Sequence, residues 1–335
     1  MKNNIEKKLI SKVGEQFYSL QNNNHIIISS LDFLYELCTY VKNELDFILL
    51  LDICAIDNLM RESLTINSKR FELVYHFLNM ETHQRLRMRV PVDEEEWIPS
   101  IKSLWCNAWW YEREVVDLMQ LKFDDSSYKS LFQLPNMKSA PLRKDFKATE
   151  VNENEILEDY ENILKKEFDP TVEIEQWVSN NSMINGMAKI QFWFNKNKIK
   201  KCEVDIGYHH RGLEKKMESL FFNQSVSLTD ELNFFSAAMN NIAWCKAVEE
   251  HLNLEINDRA KGLRMIFIEL SRVADHLNCL GNMGTTLDVI SYEKYCLEHR
   301  ERIYELFEKV TGARYNHSLA RIGGMAYDIP AGWIS

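Results

Sequence analysis

The stretch DIGYHHRGLEKKME, from Asp205 to Glu218, brings two adjacent histidines, an arginine and a glycine to the start of a charged segment. Histidine both ligates metals and moves protons near neutral pH, so His209–His210 invites reading as a metal or proton-transfer pair. Geometry works against it. Neighbouring side chains point to opposite faces of an extended segment and diverge by about 100° on a helix. No Asp, Glu, Cys or His set at ligand spacing stands beside them. The expected role is a structural corner, ahead of indirect tuning of a nearby cavity and well ahead of metal binding.

Other chemistry is sparse. Cys38, Cys54, Cys106, Cys202, Cys245, Cys279 and Cys296 are odd in number and never spaced C-x-x-C. That pattern suits reduced thiols rather than a disulfide framework or a zinc site. Cys245, between Ile242 and Val248, reads as core filler. Neither a GxGxxG fingerprint nor a P-loop is present, and no cysteine cluster could hold iron–sulfur. A net charge of −10 excludes general nucleic-acid binding, which needs a cationic face. The 335 residues are enough for about two domains. No apolar run reaches the ~20 residues that span a bilayer, and the N-terminal stretch lacks the apolar core of a signal peptide.

The elements that must position these residues fall into two parts. Residues 31–57 read as a helix (LDFLYELCTYVK) and then a strand, FILLLDICAI, apolar on both faces. RFELVYHFLNM and QRLRMRV follow across a polar ETH turn. Leu86, Met88 and Val90 alternate with Arg85, Arg87 and Arg89, the period of a half-buried strand. The arginine row reads as a solvated face or partner-facing edge, with an anion-binding strip as the alternative. A helix is expected from Tyr111, its Glu112, Arg113 and Glu114 making ion pairs along it. Residues 148–176 are acidic and read as a linker with a short helix. AKIQFWF, NKNK and IKKCEVDIG form a hairpin. Long helices follow: one striped by Leu232, Phe235, Met239, Ile242 and Val248, and another by Leu263, Ile266, Leu270, Val273, Leu277 and Leu280. The latter sits behind an Asn257/Asp258 cap. A third runs from about Tyr292 to Val310 and stops at Gly312.

WYEREVVDLM, followed about thirty residues later by APLRKDF, resembles the 30-kDa-type (C) subunit of respiratory complex I, the NADH:quinone oxidoreductase. DIGYHHRGLEK, the IELSR…HL helix and VTGARY…ARIGG resemble its 49-kDa-type (D) subunit. Their order in one chain resembles the fused C/D subunit of some bacteria. The resemblance implies an α+β chain with a C-type α/β docking domain over 1–147 and the linker over 148–176. A D-type small sheet and helix bundle, similar to the hydrogenase large subunit but incomplete, would occupy 177–335. A hydrogenase itself is excluded, because LNFFSAAMN lacks its paired metal-binding cysteines.

The resemblance further implies a peripheral-arm subunit at the cytoplasmic face of the inner membrane. There it would wall a quinone cavity against the subunit that carries the terminal iron–sulfur cluster, touching the membrane arm only indirectly. NADH, FMN and the clusters would sit on partner subunits, with no cofactor or metal bound by this chain alone. By position, Asn185, Gly186, His210, Arg211, Glu231, Phe234, Thr286 and Asn316 would lie near the cavity or cluster. Trp110, Tyr111, Glu112, Arg113, Glu114, Leu142, Arg143, Lys144 and Asp145 would form the C-type docking motif.

The family's quinone-binding histidine and tyrosine are replaced by Asn185 and Phe234, neither of which moves a proton near pH 7. Glu231 stands at an arginine, Thr286 at an aspartate and Asn316 at a histidine, with Asp288 and His317 close by. Two functional readings follow: a subunit that shapes the quinone site, or a structural and assembly scaffold that has lost quinone-reduction chemistry.

Overall fold

The computed structural model describes residues 17–20, 25–28, 30–59, 69–125, 128, 130–133, 139–147, 173–178, 188–195 and 197–334. The chain divides into two compact units, 1–170 and 171–335. It is α+β in both.

In the first unit, β1 (Phe17–Leu20), β2 (His25–Ile28), β3 (Leu49–Asp57), β4 (Phe71–Leu78) and β5 (Arg85–Val92) form one sheet in the order β1-β2-β5-β4-β3. β2 and β5 run parallel, and the other neighbours run antiparallel. Helix α1 (Leu34–Asn43) is the crossover from β2 to β3. It buries Leu34, Leu37, Cys38 and Val41, the i, i+3, i+4, i+7 stripe of a core-facing helix. Against it lie Leu50 and Ile53 of β3, Phe71, Leu73, Tyr75 and Phe77 of β4, and Leu86, Met88 and Val90 of β5.

Of the two strand expectations, the arginine row takes the face alternative, and that for β3 needs correction. β5 lies inside the sheet between β2 and β4, so its arginines line a face and not an edge. That face carries ion pairing, since Arg89 meets the buried Glu72 of β4. β3 is not buried on both faces, because Leu49 is exposed. Its pairing with β4 slips between Leu50 and Asp52, so Leu50 opposes Phe77 while Asp52 opposes His76. A bulge of one residue exchanges the faces of everything beyond it. Ile53 therefore enters the core beside Tyr75, and Asp52 and Cys54 turn to the arginine side.

The short strands β6 (Trp97–Ile98) and β7 (Lys122–Phe123) pair in parallel, and helix α2 (Ala108–Met119) lies between them in sequence. α2 is tied to β3: Asn107 donates to the Leu50 carbonyl at 2.8 Å, and Trp105 Nε1 donates to the Ile48 carbonyl at 3.0 Å. It starts three residues before Tyr111, earlier than the sequence suggests.

The second unit opens on a three-stranded antiparallel sheet, β8 (Glu173–Val178), β9 (Lys189–Asn195) and β10 (Lys198–Asp205), in the order β10-β9-β8. The expected hairpin is β9–β10, turning through Asn197 at φ 63. The last residues read as linker belong instead to β8. Residues 148–170, with the expected linker helix, lie outside the described residues. After β10 come α3 (Leu213–Met217), α4 (Phe222–Thr229), α5 (Ala237–Leu252), α6 (Asp258–Thr286) and α7 (Ile290–Thr311). The hairpin β11 (Ala320–Arg321) and β12 (Gly324–Met325) follows.

α6 begins where its cap signals place it, Asn257 Oδ1 accepting from the Ala260 N–H at 2.7 Å. α7 ends at Gly312 in the left-handed region, at φ 77. The expected stripes hold in part: Ile242, Val248 and Leu263 are buried, and Leu270 and Leu277 pack against the core. α5 starts at Ala237, and Leu232 lies exposed in the turn before it. α6 buries Leu263, Phe267, Ser271, Ala274, Asn278 and Gly281, while Ile266, Val273 and Leu280 point outward. The reason is close packing on α7. A Cβ at Gly281 would sit 3.3 Å from Cys296 Cβ, and one at Gly284 would sit 2.9 Å from Tyr292 Cδ1. At this end of α6 small residues take the tight face, whereas nearer its start Phe267 packs on Phe307 of α7.

Candidate functional site

The corner after β10 is built from turns. Tyr208 donates to Asp205 at 2.6 Å, and the His210 N–H donates to the Gly207 carbonyl at 2.8 Å. Gly207 (φ 97) and Gly212 (φ 58) both take backbone conformations that favour glycine, the second directly ahead of α3. His209 and His210 are both exposed. His209 does not face a metal set; its ring meets Phe234 edge-on, with centroids 5.8 Å apart. Arg211 pairs with Glu231. The corner thus joins residues distant in sequence: His209 with Phe234, and Arg211 with Glu231.

Just behind Glu231 lies a denser network. Asp230 is fully buried and accepts from Ser318, from Oγ at 2.7 Å and from the backbone N–H at 3.1 Å. Asn316 (φ 52) and Ser318 (φ 42) bend the chain around His317. His317 is buried, stacked on Phe307 with centroids 4.2 Å apart, and bonded to the Ala313 carbonyl. Burial pushes its pKa down, more than the Ala313 carbonyl and Asp230 raise it. It is held as a neutral base among apolar rings. Asp230 and its bonds to Ser318 left no sequence signal, since the two stand 88 residues apart.

Thr286 is placed elsewhere. Ser236, two residues after Phe234, bonds Asp275 on α6 at 3.1 Å. Thr286 lies eleven residues beyond Asp275, about 16 Å along the helix, its hydroxyl bonded to the Asn282 carbonyl at 3.0 Å. Asn185 and Gly186 lie outside the described residues.

A buried clamp fixes the far end of the bundle. Arg264 and Glu249 make two hydrogen bonds of 2.7 Å each, and Arg264 also donates to the carbonyls of Arg321 and Gly324. Glu249 accepts from the Gly323 N–H at 2.8 Å. Burial alone would raise the Glu249 carboxyl, but the bonds from Arg264 and Gly323 outweigh it and hold its pKa low.

In the first unit, the WYERE residues are mostly spent internally. Glu112 is fully buried and accepts from the Ile101 N–H at 2.8 Å, from Ser100 Oγ at 2.7 Å and from the Tyr128 hydroxyl. This corrects the expected ion pair along the helix. Burial raises the Glu112 carboxyl despite those bonds. Arg113 lies over the rings of Trp109 and Trp110 and donates to the Ser130 carbonyl at 2.7 Å.

LRKD then returns to the same region. The Leu142 N–H bonds the Leu118 carbonyl, and Arg143 caps the end of α2 through the carbonyls of Met119 and Gln120. The Lys144 N–H reaches Asp57, and Asp145 and Asp57 share Arg70. LRKD thus ties the C-terminal end of α2, while Glu112 and Arg113 bond to Ser100, Ile101 and Ser130. Among the described residues, the metal-competent grouping is not at the histidine corner but at Asp52, Cys54 and His76.

Two family models match the chain in succession. "Respiratory-chain NADH dehydrogenase, 30 Kd subunit" covers residues 27–152, and "Respiratory-chain NADH dehydrogenase, 49 Kd subunit" covers 287–335. The C/D subunit of NADH-quinone oxidoreductase from Bdellovibrio bacteriovorus is 34% identical over 307 residues, taking in 89% of this chain and 53% of that protein. Its namesake in Methylococcus capsulatus is 30% identical, with 90% and 55% covered. That of Aeromonas hydrophila is 27% identical, with 97% and 58% covered. The chain spans about half the length of the curated relatives it matches. A chain of the archaeal membrane-bound sulfane sulfur reductase superposes with a TM-score of 0.45 over 48% of this chain and 43% of that one, at 25% identity. In its two successive domain types and its similarity along nearly its whole length, the chain belongs to the family of NADH-quinone oxidoreductase C/D subunits.

Proposed function

We propose that this chain serves in the peripheral arm of a proton-pumping NADH:quinone oxidoreductase. Its second unit would form one wall of the quinone cavity, beside the subunit that carries the terminal iron–sulfur cluster. The observation that carries this reading is the succession of a 30 Kd and a 49 Kd match in one chain. NADH, flavin and clusters would reside on partner subunits. The chain would lie at the membrane's cytoplasmic side through those partners, no described helix being long and apolar enough to cross a bilayer.

The WYERE and LRKD motifs would hold the first unit in shape for docking. Around the cavity, the Arg211–Glu231 pair and the His209–Phe234 contact would keep the corner rigid. Neither Phe234 nor Asn185 offers quinone a proton, so protons would come from other groups lining the cavity. The similarity to NADH-quinone oxidoreductase C/D subunits favours this reading over that of a scaffold without chemistry.

Capture of the tagged chain from its native membranes tests it, followed by identification of what co-purifies and an inhibitor-sensitive NADH:quinone reductase assay. Cluster-bearing subunits and activity should come with it. Recovery of the chain alone, or of an inactive assembly, would overturn the proposal.

A further inference from the structure

The bulge in β3 has a chemical result on the face of the sheet away from the core. It sets Asp52 opposite His76, which stands opposite Arg87 of β5, with Cys54 two pairs further along. One carboxylate oxygen of Asp52, the Cys54 sulfur and a ring nitrogen of His76 lie within 4.8 Å of one another, and all three residues are half-buried. A tetrahedral zinc ion binds sulfur at about 2.3 Å and nitrogen or oxygen at about 2.0–2.2 Å, which sets its ligands roughly 3.3–3.8 Å apart. The three side chains therefore need close by only about an ångström. Carboxylate, thiolate and imidazole from adjacent strands are a ligand set that zinc-class ions accept, and three protein ligands leave a fourth position open.

We propose that Asp52, Cys54 and His76 form a binding site for a zinc-class divalent transition-metal ion on the outer face of the N-terminal sheet. The surrounding charges come from α2 and β5. Helix α2 packs on β3 and contributes Glu114, whose charge reaches Cys54, and Tyr111, whose hydroxyl feels Asp52. β5 contributes Arg87, which acts on both Cys54 and His76, while Arg85 acts on His76. The carboxylates of Asp52 and Glu114 and a Cys54 thiolate together carry three negative charges. A dication with Arg87 and Arg85 carries four positive ones, which leaves the group a single net positive charge.

Without metal, the Cys54 thiol donates to Asp52, and burial with the Asp52 charge pushes its pKa up to about 11. Binding must then displace the thiol proton to solvent, so affinity rises with pH. Burial, reinforced by Arg87, lowers the pKa of His76, which leaves the imidazole lone pair free near neutrality.

The site is tested by titrating the full reduced chain with Co²⁺ and then competing with Zn²⁺. One equivalent should bind with a thiolate-to-cobalt charge-transfer band, which Zn²⁺ abolishes. Cys54→Ser should remove the band. Outer-shell partners alone change metal affinity about 10–100-fold, so His76→Gln, which loses a ligand, should weaken Zn²⁺ binding by more than about a hundredfold. Cys106→Ser, at an exposed cysteine, should change neither. Circular-dichroism melts without metal will check that the variants fold. A full chain that binds no cobalt, or binds it without the band, would overturn the proposal. So would a band that survives Cys54→Ser, or unchanged Zn²⁺ affinity in folded His76→Gln.

Discussion

Replacing Arg264 by methionine would remove the centre of the buried clamp in the second unit. The side chains of Arg264 and Glu249 are each only 6% exposed, and their paired bonds are 2.7 Å long. Arg264 also satisfies the carbonyls of Arg321 and Gly324, so its loss orphans two acceptors and leaves a buried carboxylate with only the Gly323 N–H. Stripping one partner from a buried pair costs about 3–5 kcal/mol. With about 1.4 kcal/mol per tenfold, amide exchange in α6 and α7 should speed up by at least roughly a hundredfold.

Hydrogen-exchange mass spectrometry of the full chain reads this helix by helix. Arg264→Met with Glu249→Leu should recover much of the loss, because the uncompensated charge is then gone. Removing the exposed Arg259–Asp328 pair by Asp328→Asn should leave exchange unchanged. An Arg264→Met loss below about 1 kcal/mol would put the clamp among surface ion pairs and refute the reasoning. The pair also predicts an acid limb. The Glu249 pKa is lowered in the folded state. Its contribution is therefore present above the ordinary carboxylate value of 4.5 and is lost as pH falls through the folded value.

Three further outcomes are expected. Gly284→Ala should destabilise the α6–α7 pair by about 1–3 kcal/mol in urea unfolding, since its Cβ would meet Tyr292 Cδ1 at 2.9 Å and the Val289 carbonyl at 3.3 Å. His317, whose pKa is lowered by burial, takes up its proton more readily when unfolded. Stability should therefore be full above about pH 6.5 and fall as pH drops below it, and His317→Leu should flatten that slope in unfolding measured between pH 7 and 5. Asp57→Asn should cost the first unit about 2 kcal/mol or more in urea unfolding, because Asp57 accepts from Arg70 and from the N–H groups of Leu59 and Lys144.

Local pattern carried the elements well. The Asn257 cap, the Gly312 stop, the β9–β10 hairpin and the inward row of Leu86, Met88 and Val90 all arise from interactions within a few residues, which periodicity and cap chemistry record. Partners distant in sequence leave no such trace. Nothing local marks the slip between Leu50 and Asp52, yet it decides which face of the sheet carries Cys54. The helical stripe of α6 follows its largest apolar residues, but the closest contacts with α7 fall at Gly281 and Gly284. Glu112 looked like a surface charge because it stands among charged neighbours. It is buried because Ile101, Ser100 and Tyr128 supply its donors from other segments. At the corner, glycine and charge spacing pointed to a turn, whereas the pairing of Arg211 with Glu231 spans a stretch that only folding brings together.

In the proposed function, the corner of the second unit would face a cluster-bearing partner. Photo-cross-linking in native membranes tests this most directly, with Phe234→p-benzoylphenylalanine in the chain. The account predicts a specific adduct between this chain and the subunit that carries the terminal iron–sulfur cluster. An adduct only with unrelated proteins, or none while the chain is held at the membrane, would contradict it.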